Sequence, residues 1–167
     1  KRFNYNRWIY NNIKDFIGDN ILEVGAGIGN ITDFIIFKKN LTLIDIDPNY
    51  IDYLHNKYFF CDKSGLNVFQ ADIQNIASSP ISEMQFDTII CLNILEHLEY
   101  DRVAVKNMSS LLNRGGRLII LVPALKTLYG SMDISFEHLR RYSRKDLRSL
   151  AQDQNLEVIK LYHMNFI

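Results

Sequence analysis

The sequence contains few cysteines, no excess of charge and no long apolar run. Its only cysteines are Cys61 and Cys91, whose spacing matches no metal or redox motif, so we expect free thiols in a reducing compartment such as the cytoplasm. Lysine plus arginine and aspartate plus glutamate each number 19, which gives a net charge of +0 and no overall field to attract nucleic acid or an anionic membrane. No apolar run approaches the ~18–20 residues of a membrane span, and the opening KRFNYNRW has no signal-peptide core.

Internal repeats, low-complexity tracts and flexible linkers are also absent from the sequence. A chain of 167 residues that is 47% hydrophobic can bury one good core, which predicts a single domain over 1–167. Apolar runs of strand length alternate with segments of helical period, and they fall at 21–24, 41–44, 67–69, 86–92, 118–122 and 156–161. This alternation predicts an α/β fold with a mostly parallel sheet covered by helices on both faces.

Helix boundaries are indicated at three places. Asp47 followed by Pro48 predicts an N-cap and a first helical residue, and Ser143 with Asp146 matches a capping box. Gly115 predicts the C-terminal stop of the preceding helix.

The stretch ILEVGAGIGN, residues 21–30, predicts a ligand-binding loop after the first strand. Its glycines allow a tight turn, and the backbone N–H groups of such a loop face a ligand beyond the carboxyl ends of the strands. Asp45 follows Gly25 by about 20 residues and ends the second strand, where a carboxylate can accept both hydroxyls of a ribose.

Two positions argue against a dinucleotide in this loop. The dinucleotide fingerprint needs a glycine where this sequence has Asn30, and the carboxylate of Glu23 would repel a pyrophosphate but suit a cation. S-adenosylmethionine carries a sulfonium, an ammonium and a ribose but no phosphate, so it fits better. Structural pairing of Glu23 is the alternative, and a nucleotide-dependent oxidoreductase is the alternative function.

Five blocks, ILEVGAGIGN, LTLIDIDPNY, VFQADIQNI, FDTIICLNILEHLEY and LLNRGGRLIILVP, resemble in order and spacing the motifs of class I S-adenosylmethionine-dependent methyltransferases. The resemblance implies a Rossmann-like three-layer sandwich with S-adenosylmethionine as cofactor. It also implies Asp45 and Ile46 at the ribose, Asp72 at the adenine amino group, Ile73 against the ring, and Asn93 near the methionine or the acceptor. Around the methionine it implies Glu23, Gly25, Ala26, Gly27 and Gly29.

The LEH and HLRRYS elements are similar to a bacterial branch of these enzymes that is associated with surface polysaccharide or lipid biosynthesis, and more distantly to quinone-type O-methyltransferases. We therefore expect direct methyl displacement to a small-molecule, lipid or saccharide acceptor, with oxygen favoured. The candidate catalytic residues are His97, His138 and Arg141. Helix capping or packing is the alternative for His97, and a solvated basic helix face is the alternative for the arginine-rich cluster.

The remaining expectations concern metals and the chain ends. His55 and His163 show no partner spacing, so no metal site is expected. Methyltransferases of this class generally end with a seventh, antiparallel strand, which the sequence does not supply, and its first residue is not Met. We expect a segment of a longer protein with a tendency to self-associate through unpaired strands. A non-catalytic cofactor-binding module stays open as an alternative.

Overall fold

A computed structural model describes residues 2–61 and 64–164 and contains a five-stranded sheet. The strands are β1 (Asn20–Val24), β2 (Asn40–Asp45), β3 (Leu66–Gln70), β4 (Phe86–Leu92) and β5 (Leu112–Leu121). Their spatial order is β3-β2-β1-β4-β5, and each neighbouring pair is parallel. The predicted α/β fold is therefore confirmed, and the carboxyl ends of all five strands lie at one edge of the sheet.

Six helices accompany the sheet in the described chain, and together with it they form three layers. They are α1 (Arg2–Ile13), α2 (Thr32–Ile35), α3 (Pro48–Lys57), α4 (Asp101–Ser110), α5 (Ser131–Ser135) and α6 (Arg144–Gln152). Because side chains alternate along a strand, Ile21 joins a hydrophobic cluster with α1 and α3, whereas Leu22 joins a second cluster with α4 and α6. None of the described helices is long and apolar enough to cross a membrane.

The structure confirms two of the predicted helix starts. The Asp47 side chain accepts a hydrogen bond from the Asn49 N–H, and Pro48 is the first residue of α3. Ser143 and Asp146 form the predicted capping box at the start of α6.

The prediction that Gly115 ends a helix is wrong. Helix α4 ends at Ser110, where the Leu111 N–H donates to the carbonyls of Asn107 and Met108, and β5 begins at Leu112. Gly115 instead has a φ of +79° inside β5, at an irregularity between the pairs Phe86–Leu112 and Thr88–Arg117. The glycine accommodates a bulge, which is the other common use of a positive φ.

The predicted strand at 156–161 is also wrong, because the chain there is irregular. Val158 and Ile159 are exposed by 40% and 69%, so this apolar run does not place a face against the core. Only Leu156 of this stretch packs against the hydrophobic cluster that contains α6 residues. Its N–H donates to the Ala151 carbonyl. The described residues contain no antiparallel strand.

Candidate functional site

The three glycines of the loop after β1 have different neighbours. All three have positive φ values of +71°, +53° and +78° at Gly25, Gly27 and Gly29. A methyl group at Gly25 would overlap the Ile94 side chain, and one at Gly29 would overlap the Tyr58 hydroxyl. At Gly27 it would meet nothing within 4 Å. Two glycines therefore make room for protein side chains, and Gly27 presents bare backbone to open space.

Lys57, the last residue of α3, and Tyr58, which follows it, hold this loop from behind. The Lys57 ammonium donates to the Ile28 carbonyl at 2.9 Å and forms an ion pair with Asp33 at 2.8 Å. The Tyr58 hydroxyl donates to Asp33 Oδ1 at 2.7 Å. These bonds satisfy carbonyls of the turn and fix the position of the backbone next to Gly27.

Asp45 joins the end of β2 to the glycine loop. Its Oδ2 accepts the Gly27 N–H at 2.9 Å and its Oδ1 accepts the Asp47 N–H at 3.0 Å, and the residue is 8% exposed. A carboxylate has about four lone-pair sites, so two remain for further donors such as ribose hydroxyls. The glycine loop therefore orients the carboxylate of Asp45, the residue that the sequence predicts to bind the ribose.

Glu23 is a buried carboxylate at the wall of a pocket. It is 5% exposed, and its Oε2 accepts a hydrogen bond from the Thr32 hydroxyl at 2.7 Å. Burial raises the pKa of Glu23 to about 7, against the lowering effect of the Thr32 bond. A positively charged ligand would reverse this shift, because it favours the ionised carboxylate.

Helix α1 supplies one side of this pocket, which the sequence did not predict. The lining side chains include Tyr5, Asn6 and Ile9 of α1, and the lining also includes Glu23, Gly25, Ala26, Gly27, Asn30 and Asn93. The helix gave little signal because its apolar residues are mixed with asparagine and arginine. The pocket brings together five of the ten predicted cofactor residues.

The next strand ends carry three more predicted cofactor residues, Ile46, Asp72 and Ile73, as well as Asn93 of the pocket lining. Asp72 follows β3, is half-buried, and accepts the Gln74 N–H on Oδ1 at 2.8 Å. Ile73 is only 3% exposed and packs in the core, whereas Ile46 is 63% exposed. Asn93 follows β4 with a φ of +55°, and its N–H donates to the Leu121 carbonyl at 2.8 Å. Of the two isoleucines, only Ile46 therefore has a side chain open to a ligand.

The turn at Leu95–His97 contacts the segment after β5 through His97 and His138. Their rings meet edge to face with centroids 4.8 Å apart. The Leu139 N–H donates to the Glu96 carbonyl at 2.7 Å, which attaches the segment to the turn. Partial burial and the neighbouring His138 lower the pKa of His97, so its imidazole is neutral near pH 7.

Arg141 is engaged in internal contacts. Its Nε donates to Asp133 Oδ1 at 2.7 Å, and a guanidinium nitrogen donates to the Ala124 carbonyl at 3.1 Å. The side chain of Asp133 is 1% exposed, and the Arg141 bond holds the pKa of this carboxyl well below its usual range. Arg141 therefore stabilises the segment after β5. If its guanidinium contacted an acceptor directly, it would have to give up these bonds.

A family model described as "Methyltransferase domain" matches residues 22–118, which is more than half of the chain. The chain belongs to the class I S-adenosylmethionine-dependent methyltransferases. The matched segment begins within β1 and ends within β5, so it includes the glycine loop and the ends of the first four strands.

Individual relatives are distant. The chain is similar to a ubiquinone biosynthesis O-methyltransferase of Coxiella burnetii, with 28% identity over 60% of this chain and 42% of that protein. It is also similar to a tRNA U34 carboxymethyltransferase of Campylobacter fetus, with 25% identity over 65% of this chain and 37% of that protein. The chain thus spans about two fifths of the length of these relatives. The structure of the N-methyltransferase NodS from Bradyrhizobium japonicum, in complex with S-adenosyl-L-homocysteine, superposes with a TM-score of 0.69 at 21% identity, covering 91% of this chain and 73% of that one.

The pocket residues, together with the neighbouring Asp45, fit the cofactor of this family. A buried carboxylate at Glu23 suits an ammonium, and Asp45 keeps lone pairs for a ribose. Gly27 leaves room for a ligand to lie on the backbone. A pyrophosphate, in contrast, would lie against two carboxylates.

Proposed function

We propose that this chain transfers a methyl group from S-adenosylmethionine to an oxygen atom of an apolar small-molecule or lipid acceptor. The observation that carries the donor half is the open backbone at Gly27, held between Asp45 and the pocket wall that contains Glu23. When bound, the cofactor supplies an activated methyl group on its sulfonium. The chain then has to align the donor and the acceptor and to exclude water.

On the donor side, Glu23 and Asp45 have separate tasks. Glu23 pairs with the ammonium of the methionine half from its buried position, where the low dielectric strengthens the attraction. Asp45 accepts ribose hydroxyls while it keeps the Gly27 N–H. Asp72 accepts the adenine amino group, and the Ile46 side chain covers the ribose and base from the solvent side.

On the acceptor side, His97 and His138 receive the hydroxyl. A neutral His97 can accept the proton that the hydroxyl loses as its oxygen attacks the methyl group, and the lowered pKa of His97 keeps it neutral at pH 7. His138 lies against His97, and Arg141 acts as a positioning residue that holds the segment in place.

The surface next to the histidines favours an apolar acceptor body. Between residues 125 and 139 the exposed large apolar side chains are Leu125, Leu128, Tyr129, Met132, Ile134, Phe136 and Leu139. Such a concentration of exposed apolar residues more often marks a binding surface than a surface that contacts only solvent. The printed name of the Coxiella burnetii relative, a ubiquinone biosynthesis O-methyltransferase, agrees with transfer to oxygen.

The test combines cofactor binding with methyl transfer from labelled S-adenosylmethionine. Calorimetry should detect S-adenosylmethionine and S-adenosylhomocysteine but not NADH, whose binding would instead support the oxidoreductase alternative. A panel of hydroxylated aromatic, lipid and sugar acceptors should then yield an O-methylated product with an apolar member. His97→Asn should lower kcat with little change in cofactor affinity, whereas His55→Asn, on the exposed face of α3, should change neither. Cofactor binding without transfer to any member would favour a non-catalytic module.

A further inference from the structure

Glu96, His97 and His138 form a cluster of three metal-ligating side chains outside the donor pocket. Each offers one ligand atom, and these atoms all lie within 4.8 Å of one another. The two histidines come from different parts of the chain, since one belongs to the turn after β4 and the other to the segment after α5. The backbone bond from the Leu139 N–H to the Glu96 carbonyl holds these parts together.

The carboxylate of Glu96 lacks the partners that a buried charge requires. Glu96 is 0% exposed, and both of its carboxylate oxygens have no hydrogen-bond partner. Within residues 2–61 and 64–164, no other buried side-chain nitrogen or oxygen shares this property. Leaving a buried carboxylate without donors is strongly unfavourable, so a cation between it and the imidazoles would compensate directly.

His138 has the outer hydrogen bond that a metal-bound histidine usually has. Nδ1 of His138 lies 3.1 Å from Asp133 Oδ1, and the bond to Arg141 keeps Asp133 ionised, so Nδ1 must carry the proton and donate it. The lone pair of His138 is then on Nε2. The ring of His97 packs edge to face against that of His138, with centroids 4.8 Å apart, so both rings lie beside the same carboxylate. A carboxylate or carbonyl behind the ligating ring is the normal outer support of a metal-bound histidine.

We propose that Glu96, His97 and His138 bind one divalent transition-metal ion of the zinc type. Two imidazole nitrogens and one carboxylate oxygen are a donor set that favours Zn²⁺ and its neighbours over Mg²⁺ or Ca²⁺, which prefer oxygen ligands. Three protein ligands leave an open position on the ion. An acceptor hydroxyl at that position would have a lowered pKa and would release its proton to water. With the ion bound, His97 would be a ligand in place of the proton acceptor described above, and this last step rests on the proposed function.

The experiment measures metal binding alone, without cofactor or acceptor. The whole chain carrying Cys61→Ser, which removes an exposed thiol, is treated with a chelator and titrated with Zn²⁺ by calorimetry and with Co²⁺ by visible absorption. We expect one ion per chain, the visible bands of a low-coordinate Co²⁺, and no displacement by excess Mg²⁺. Affinity should fall at least tenfold in Glu96→Gln and in His138→Asn, and His55→Asn should bind as the parent does.

Two results would overturn the proposal. One is no Zn²⁺ binding by the folded parent, and the other is binding that both site variants retain at full affinity. Circular dichroism checks the fold of each variant, and His138→Asn supplies the answer if Glu96→Gln does not fold. Because the readout is the ion itself, its failure leaves methyl transfer untouched, and failure of methyl transfer leaves this result standing.

Discussion

Replacing Gly27 with alanine should remove cofactor binding while the fold persists. Gly27 has a φ of +53°, and a Cβ there would meet no protein atom within 4 Å. The methyl group would therefore project into the space that the proposed cofactor occupies. The substitution therefore tests whether a ligand needs the space at residue 27, because no protein atom occupies that space.

The cost to the fold can be worked out from the backbone alone. A non-glycine residue in the left-handed region costs about 1–2 kcal/mol, and no steric clash adds to it here. For a chain of this size each kcal/mol lowers the melting temperature by about 2–4 °C, so we expect a decrease of about 2–8 °C. The affinity for S-adenosylhomocysteine should fall by at least about tenfold, which corresponds to about 1.4 kcal/mol.

Gly115→Ala is the matched control. Gly115 has a φ of +79°, a Cβ there would also meet nothing within 4 Å, and the residue lies in β5 away from the pocket lining. Thermal melts without ligand should show similar decreases for both variants. Calorimetry with S-adenosylhomocysteine should show a loss of affinity only for Gly27→Ala.

Normal affinity in Gly27→Ala would refute the reasoning, because the ligand would then not approach the loop at this residue. An equal loss in both variants would show that the effect comes from lowered stability. Gly25→Ala offers an internal contrast, since its methyl group would overlap Ile94 and should lower the melting temperature more than either variant.

Three further predictions follow from side-chain contacts. Asp45→Ala should weaken S-adenosylhomocysteine binding by about 1.5–3 kcal/mol in calorimetry, whereas Asp47→Ala should lower the melting temperature through loss of the α3 cap but bind the ligand normally. The pKa of Glu23 is raised from 4.5 to about 7, so cofactor affinity should fall as the pH drops below about 7, and Glu23→Gln should remove this dependence. In the ligand-free chain, the stability of the fold depends on pH in the opposite direction to the cofactor affinity. The raised pKa of Glu23 contributes stability below pH 4.5, and this contribution is lost as the pH rises to about 7. Arg141→Gln should lower the melting temperature more than Arg144→Gln, because only Arg141 contacts a buried carboxylate; equal effects would contradict this.

Features that depend on neighbouring residues in the chain were predictable. The cap at Asp47 and the capping box at Ser143 are local hydrogen-bond patterns, and the residue types at these positions are sufficient to predict them. The parallel sheet follows from apolar runs that alternate with helical segments. The meeting of the loops that carry Gly27, Asp45 and Asp72 follows in turn, because parallel strands end at one edge.

Features that depend on distant partners were not predictable. Nothing local indicates that Gly25 makes room for Ile94, or that Gly29 makes room for Tyr58. Residues 156–161 have the apolar content of a strand, but a strand also needs a neighbour with which to form a ladder. Glu96 gives no sequence signal of its burial, because a charged residue is expected on the surface by default.

The contact between Ile94 and Gly25 links the two halves of the site mechanically. Ile94 precedes the turn that contains Glu96, and the Glu96 carbonyl accepts the Leu139 N–H of the segment after α5. A ligand that tightens the glycine loop should therefore restrain Ile94 and, through it, the segment that we propose covers the acceptor. By thermodynamic reciprocity, an acceptor that orders this segment must raise the affinity for the cofactor by the same factor. Slower amide exchange at Leu139 on addition of S-adenosylhomocysteine would be the signature of this linkage.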